Sequence, residues 1–487
     1  MLGLIVGFLG LMGGSQVDTI PVVDSSRVLT VNRIMIIGNK ITKDRIISRE
    51  LTLKVGDTIS VKRLDHELVW DKRKIYNLRL FHTVSVRSIE LPNNQIDLLI
   101  EVAERWYTFP IPIFELSDRN FSEWWNNYNH DPSRINYGLN LTRYNFRGRY
   151  ETLQMIAQFG FTQRYELSYR IPYIDKKQKR GLSFNFDYSE PKNLAISTEN
   201  LTDFSSPHVL QYLKSNQKLK TTKGGSITYF YRKNFFETHS LQVGFRSTKV
   251  ADTIVNFLNP NYFGQKGRNQ LQYATVSYIF NSEHRDVVQY PLRGYQINAY
   301  LQKTGLGFEG NANLLEMGLS YARHFAFKKN IFLSNFTGGY WATPASQPYA
   351  LYAGMGYKRQ YVRGFENYVV ETPFFLLNKT TLKKRIFYKV WSMGIMPREQ
   401  LKYFPLSIYL KTFTDWGYAQ NYPYYSNYVD PATNTPMPLN TKLTDKLIGG
   451  YGFGFDFVMV YDFVIRTEYT FTNQNHRGFF LSLRKEF

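Results

Sequence analysis

The sequence predicts an all-β transmembrane barrel of about sixteen antiparallel strands, preceded by one small α/β domain. Three observations predict it. Aromatic residues make up 17% of the 487, with 37 Tyr and 37 Phe, yet mean hydropathy is slightly polar at −0.36. That combination suits strands with one apolar and one polar face better than apolar helices. No internal apolar run reaches the roughly 18 residues a transmembrane helix needs. Beyond residue 107, apolar and polar residues alternate over segment after segment.

Taken in order, Leu2–Met12 is a short apolar stretch closed by Gly13-Gly14-Ser15. Residues 1–15 read as a signal-peptide-like export segment, too short to span a bilayer and without Lys or Arg ahead of it; residues 16–26 read as a linker. The chain has no cysteine, which excludes disulfides, thiol catalysis and thiolate metal sites. The net charge is +21, and most of the excess lies beyond residue 105. Those bases are scattered singly among aromatic strands, with no basic block or reader motif, so no nucleic-acid partner is expected. Anionic lipid head groups at a barrel rim would use them; solvated loops and lumen account for them equally well.

Residues 27–106 form the α/β unit. Val31–Ile37 reads as a strand ended by Gly38-Asn39-Lys40. Thr42 is placed to cap a helix carrying Ile46, Ile47 and Leu51, which Gly56-Asp57 breaks. A second helix, from about Ser60 to Asn77, aligns Leu64, Leu68 and Ile75 on one stripe. Strands over Val84–Leu91 and Ile96–Val102 follow, joined by the turn Pro92-Asn93-Asn94. This β-α-α-β-β order, with Ile37-Gly38-Asn39-Lys40 after the first strand and Asn77–Phe81 before the second, resembles a POTRA domain. The resemblance implies a periplasmic docking module that binds chains by strand addition to a sheet edge.

Residues 107–487 form the barrel. Leu153, Met155, Ala157, Phe159 and Phe161 alternate with polar neighbours, as do Leu182, Phe184, Phe186 and Tyr188, and Tyr295, Ile297, Ala299 and Leu301. Only a closed barrel places such strands in lipid, because an open edge leaves backbone groups unpaired. The length allots about 24 residues to each of sixteen strands with its connection; fourteen or eighteen strands would also fit. In Leu406–Tyr418 the outward set is Leu406, Ile408, Leu410, Trp416 and Tyr418. Asp415 therefore faces the lumen with Tyr409, Lys411, Phe413 and Gly417. Arg363-Gly364-Phe365 lies between Gly354-Met355-Gly356 and a strand near Phe374, in a loop long enough to fold into that lumen. A buried Arg363–Asp415 pair is expected.

The Val362-Arg363-Gly364-Phe365 loop and the Phe413-x-Asp415-x-Gly417 strand resemble the outer-membrane insertase and translocator superfamily that includes BamA and TamA. The chain is similar to a single-POTRA member of it. Asp118-Arg119-Asn120-Phe121 resembles the start of that family's first barrel strand. Tyr290-Pro291-Leu292-Arg293-Gly294 resembles its mid-barrel turn. Phe479, Leu481, Leu483 and the terminal Phe487 resemble its C-terminal assembly signal, with Lys485 an interruption on the same face. The resemblance implies a Gram-negative outer-membrane location with the POTRA domain in the periplasm. Implied partners are unfolded outer-membrane or secreted client polypeptides, outer-membrane lipids and accessory lipoproteins. Arg363 and Asp415 would latch an internal loop, and clients would pass by the seam between first and last strands. Translocation of one secreted partner, or a plain pore, are the alternatives.

No enzyme activity, cofactor or metal is expected. There is no Gly-x-Ser-x-Gly motif and the eight His are dispersed. Glu283-His284-Arg285-Asp286 could imitate an acid–base cluster but reads as a solvated strand end.

Overall fold

The computed structural model describes residues 27–116, 129–198, 210–215, 217–307, 312–356, 360–366, 368–392, 403–429, 433–439, 441–459 and 463–485. The export-like segment, the linker, Asp118–Phe121 and Phe487 lie outside the described residues.

The N-terminal unit runs β1 (Val28–Ile37), α1 (Asp44–Ser48), β2 (Thr58–Ser60), α2 (Val61–Tyr76), β3 (Phe81–Leu91) and β4 (Gln95–Glu104). Its sheet has the order β2-β1-β4-β3, with β1 parallel to β4 and the other pairs antiparallel. The helices cover one face through Ile46, Ile47, Leu64, Leu68 and Ile75, all buried. The β3–β4 turn uses Asn93 and Asn94 with φ of 64° and 58°, a left-handed conformation that asparagine tolerates. Two readings need correction. The short strand β2 carried no signal in the sequence. Thr42 does not cap α1, whose N-cap is Lys43 with no side-chain bond. Its hydroxyl instead donates to Glu104 Oε1 at 2.6 Å.

Sixteen strands then form one antiparallel sheet: β5 (Thr108–Leu116), β6 (Ile135–Phe146), β7 (Glu151–Gly160), β8 (Thr162–Ile171), β9 (Arg180–Pro191), β12 (Lys220–Arg232), β13 (Glu237–Val250), β14 (Gln270–Glu283), β15 (Gly294–Thr304), β16 (Leu314–Ala326), β17 (Ile331–Thr343), β20 (Phe374–Ser392), β21 (Tyr403–Gln420), β22 (Leu447–Met459), β23 (Phe463–Thr472) and β24 (Arg477–Lys485). Two small hairpins sit in connections, β10 (Asn193–Thr198) with β11 (Leu210–Lys214) and β18 (Gly354–Met355) with β19 (Val370–Glu371). Each barrel strand pairs with its neighbours in chain order, the up-and-down topology that only short-range hairpins require. No described helix is long and apolar enough to cross a membrane.

The period-2 alternation sorts the two faces. In β9, Phe184 and Phe186 point outward and are exposed; in β21, Leu410, Trp416 and Tyr418 are exposed while Tyr409, Lys411, Phe413, Asp415 and Ala419 are buried. An outward apolar band with a polar interior is the arrangement lipid imposes on a barrel. Phe161 departs from the expected face. Gly160 takes φ of 99°, ending β7, and Phe161 turns in beneath the Arg134 guanidinium, 4.7 Å from its ring.

At the end distant from the N-terminal α/β unit, five connections share one apolar core, Ala312 of the β15–β16 connection among them. Ile196 of β10, Ile254 and Phe263 of the β13–β14 connection, Tyr349 and Tyr352 of the β17–β20 loop, and Tyr422 and Tyr425 of the β21–β22 connection all belong to it. Tyr422 precedes the short helix α3 (Pro423–Ser426) as its N-cap, and Tyr425 lies within it. Tyr352 stacks on Tyr422 with ring centroids 4.0 Å apart.

Candidate functional site

The loop between β17 and β20 folds back against the inner faces of β20–β23. Val362, Phe365 and Tyr368 are buried there with Met355, Phe375, Leu377 and Ile448. Two glycines make the approach possible. Gly364 takes φ of 95° between Arg363 and Phe365, a conformation costly for residues with a Cβ. Gly450 of β22 lies so close beneath the loop that a Cβ would stand 1.8 Å from the Arg363 carbonyl oxygen.

Arg363 and Asp415 meet as expected. Arg363 Nη2 and Nε donate to Asp415 Oδ1 and Oδ2 at 2.5 and 2.7 Å, a bidentate pair. The Arg363 backbone N–H adds a third bond to Oδ2 at 3.1 Å. The guanidinium also lies 3.9 Å from the Phe413 ring centroid and donates to Thr381 Oγ1 at 3.0 Å. Gly417, on the same inner face, leaves room for Val362, whose Cγ2 would stand 2.7 Å from any Cβ there.

The pair is one end of a larger network. Arg363 Nη1 reaches Glu468 Oε1 at 3.3 Å. Lys411 Nζ bridges that same oxygen at 2.8 Å and Asp456 Oδ1 at 2.6 Å. Arg466 Nε adds a contact to Asp456 Oδ1 at 3.0 Å, and the Tyr290 hydroxyl donates to Asp456 Oδ2 at 2.8 Å. Three cations thus interleave with three carboxylates, so each buried charge has a counter-charge and hydrogen bonds, the condition for tolerating it away from water. Sequence reading missed Lys411, Asp456, Glu468, Arg466 and Tyr290 as members. The signal was present in β23, where Arg466, Glu468 and Thr470 alternate with Ile465, Thr467 and Tyr469, and in Asp456 between Phe455 and Phe457.

Tyr290 comes from the β14–β15 turn, which enters the POTRA-proximal end of the barrel and packs with Phe332, Tyr409 and Val464. Asp286 shapes that turn: its Oδ1 accepts from the backbone N–H groups of Val287, Leu292 and Arg293 at 2.9, 3.0 and 3.1 Å. The neighbouring cluster is structural. Arg285 pairs with Glu283 at 2.5 Å, and His284 stacks between Phe236 and Tyr295 at 4.1 and 4.4 Å. It is half-buried rather than the solvated strand end expected.

The POTRA domain sits on the turns of the N-terminal barrel strands. Glu50, buried, takes a bidentate pair from Arg232 of β12 at 2.6 and 2.7 Å. Burial alone would raise its pKa, but Arg232 and Arg49 beside it hold the carboxyl below its ordinary value. Asn145 donates to the Thr42 hydroxyl at 2.8 Å, and Asn77, the C-cap of α2, donates to the Asp286 carbonyl at 3.2 Å. Tyr144, Tyr150 and Tyr173 of the barrel complete the POTRA core itself.

The remaining predicted residues divide. Phe479 and Leu481 point outward from β24, 66% and 68% exposed. Leu483 pairs with Ile465 across the β23–β24 ladder. The first barrel strand begins at Thr108, ahead of the segment expected to open it, and Phe114 is already near its far end. Among the described residues no ladder joins β5 to β24; the sheet's hydrogen-bonded order runs from one to the other and stops.

A family model described as POTRA, surface antigen variable number repeat, matches residues 29–105. A BamA structure from Haemophilus ducreyi lacking POTRA domains 1–3 matches with a TM-score of 0.51 at 14% identity, over 94% of this chain and 85% of that one. CdiB from Escherichia coli matches with a TM-score of 0.51 at 10% identity, over 93% and 75%. The chain has the POTRA-plus-barrel fold of these proteins. No curated protein sequence matches the chain. The loop bearing Arg363 folds against the inner face of the sheet, and β5 and β24 stand at the two ends of its hydrogen-bonded order.

Proposed function

We propose that the protein is an outer-membrane assembly factor without enzymatic activity. In this reading the POTRA domain faces the periplasm and docks unfolded client chains, and the β5–β24 seam inserts or passes them. The observation that carries it is that, among the described residues, no ladder joins β5, which follows the POTRA domain by a short link, to β24. An edge strand offers backbone donors and acceptors to an incoming strand, which is what strand-by-strand insertion requires. The Arg363–Asp415 pair serves as a latch that holds the internal loop and the barrel's shape. Outer-membrane lipids surround the outward face; clients and accessory lipoproteins are its expected partners.

The equal likeness to CdiB supports a second reading, translocation of one secreted polypeptide. Reconstitution into liposomes separates the two. An insertase accelerates folding of an unfolded barrel client added from outside. Ion conductance with no such acceleration would leave a pore or a dedicated translocator. The absence of native cysteine permits a disulfide between paired cysteines placed in β5 and β24. Client folding that continues at full rate with this lock closed would overturn use of the seam.

A further inference from the structure

We infer that Pro110 and Pro112 leave the free edge of β5 without backbone donors between Thr108 and Phe114, in its POTRA-proximal half, so that the seam opens from the POTRA side. The inference deepens the seam reading above, but its first test does not depend on that reading.

The β5–β6 ladder runs unbroken from Thr108↔Arg143 to Leu116↔Ile135. In an antiparallel ladder the N–H and C=O of one residue point to the same neighbour, and those of the next residue point the other way. Proline has no N–H to give. The bonds to β6 therefore come from Phe109, Ile111, Ile113 and Glu115. Thr108, Pro110, Pro112, Phe114 and Leu116 face the opposite side, toward β24. All five offer carbonyl oxygens there, but Pro110 and Pro112 offer no donor.

Other described prolines in barrel strands are placed differently. Pro191 ends β9, where the β12 ladder has already stopped at Ser189. Pro405 lies beyond the β22 ladder, which starts at Leu406. Pro110 and Pro112 alone among them stand mid-strand. If β24 closed over them, two of its carbonyls would meet no donor in a medium that supplies none. Because Thr108 follows the POTRA strand β4 by a short link, this weakness lies at the POTRA-proximal end. Phe114 and Leu116 keep their donors at the far end.

The test is hydrogen–deuterium exchange of the full chain in lipid nanodiscs, read on β24, whose own sequence is untouched. The native protein should exchange faster over Leu483–Lys485 than over Arg477–Phe479. Pro110→Ala/Pro112→Ala restores two donors and should slow the POTRA-proximal amides of β24 by roughly ten- to a hundredfold. Pro112→Val alone serves as the milder variant and should slow them by a smaller factor. A uniform or reversed gradient in the native chain, or exchange unchanged in both variants, overturns the inference. Slowed exchange with client folding undiminished would keep the inference and reject the proposed use of the seam.

Discussion

The two halves of the barrel wall are held by different partners. The C-terminal wall, β20–β23, is tied inward: Arg363, Lys411 and Arg466 interleave with Asp415, Asp456 and Glu468, and the internal loop fills the space against it. The N-terminal wall is tied downward to the POTRA domain through Arg232, Asn145, Tyr150 and Tyr173. Its inner face stays open around a cavity of about 530 Å³ lined by Asn185, Asp187, Gln242, Arg246 and Gln302. The ion pair on that side, Arg246–Asp187 at 3.1 Å, remains 43% and 19% exposed. The difference teaches where rigidity is placed: one wall anchors the loop, the other anchors the docking domain. The β14–β15 turn touches both, through Asp286 to Asn77 and through Tyr290 to Asp456.

Five substitutions would break or sharpen that contrast. Asp415→Asn strips the counter-charge from a buried guanidinium and should cost about 3–5 kcal/mol. It should be read as a large fall in the temperature at which the folded band is lost on gels. A barrel of unchanged heat resistance would remove the inward tie altogether. Glu50→Gln should cost about 2–5 kcal/mol of POTRA docking, seen as faster proteolysis of the domain from an intact barrel.

The wild-type version of that second experiment is acidification. Because the folded Glu50 pKa is depressed, its contribution is full above the ordinary carboxylate value and fades as pH falls through the lower folded one. Docking should therefore loosen below about pH 4. Gly450→Ala drives a methyl into the Arg363 carbonyl and should cost about 1–3 kcal/mol, with the loop displaced and the barrel still folded. Tyr290→Phe removes one bond to a charged acceptor, about 1.5–3 kcal/mol if Asp456 gains nothing in return. Arg246→Gln on the open wall should cost under about 1 kcal/mol. A loss there equal to that at Asp415 would erase the distinction between the walls.

Much of this was legible in the chain. Period-2 alternation placed Asp415 on the inner face, because one residue of register decides which side every side chain takes. The POTRA helices followed from Ile46, Ile47, Leu64, Leu68 and Ile75 at helical spacing. What alternation does not encode is the register between neighbouring strands, which sets Lys411 of β21, Asp456 of β22 and Glu468 of β23 side by side. Lys411, Asp456 and Glu468 therefore looked like three separate charges. Thr42 misled for a related reason: a local capping rule cannot know that Glu104 is brought to its hydroxyl from 62 residues away. Phe161 misled because a single glycine ended its strand one residue early.

The shared apolar core at the POTRA-distal end has a consequence for whatever binds the protein at that end. Since Ile196, Phe263, Tyr349 and Tyr425 come from four different connections yet bury one another, that surface is a single composite shape. Antibodies raised against a linear peptide from one connection are expected to miss the native face, while antibodies to the folded barrel should bridge several. Sequence drift in one connection would be answered by drift in the others, and shortening any of them should disturb them all.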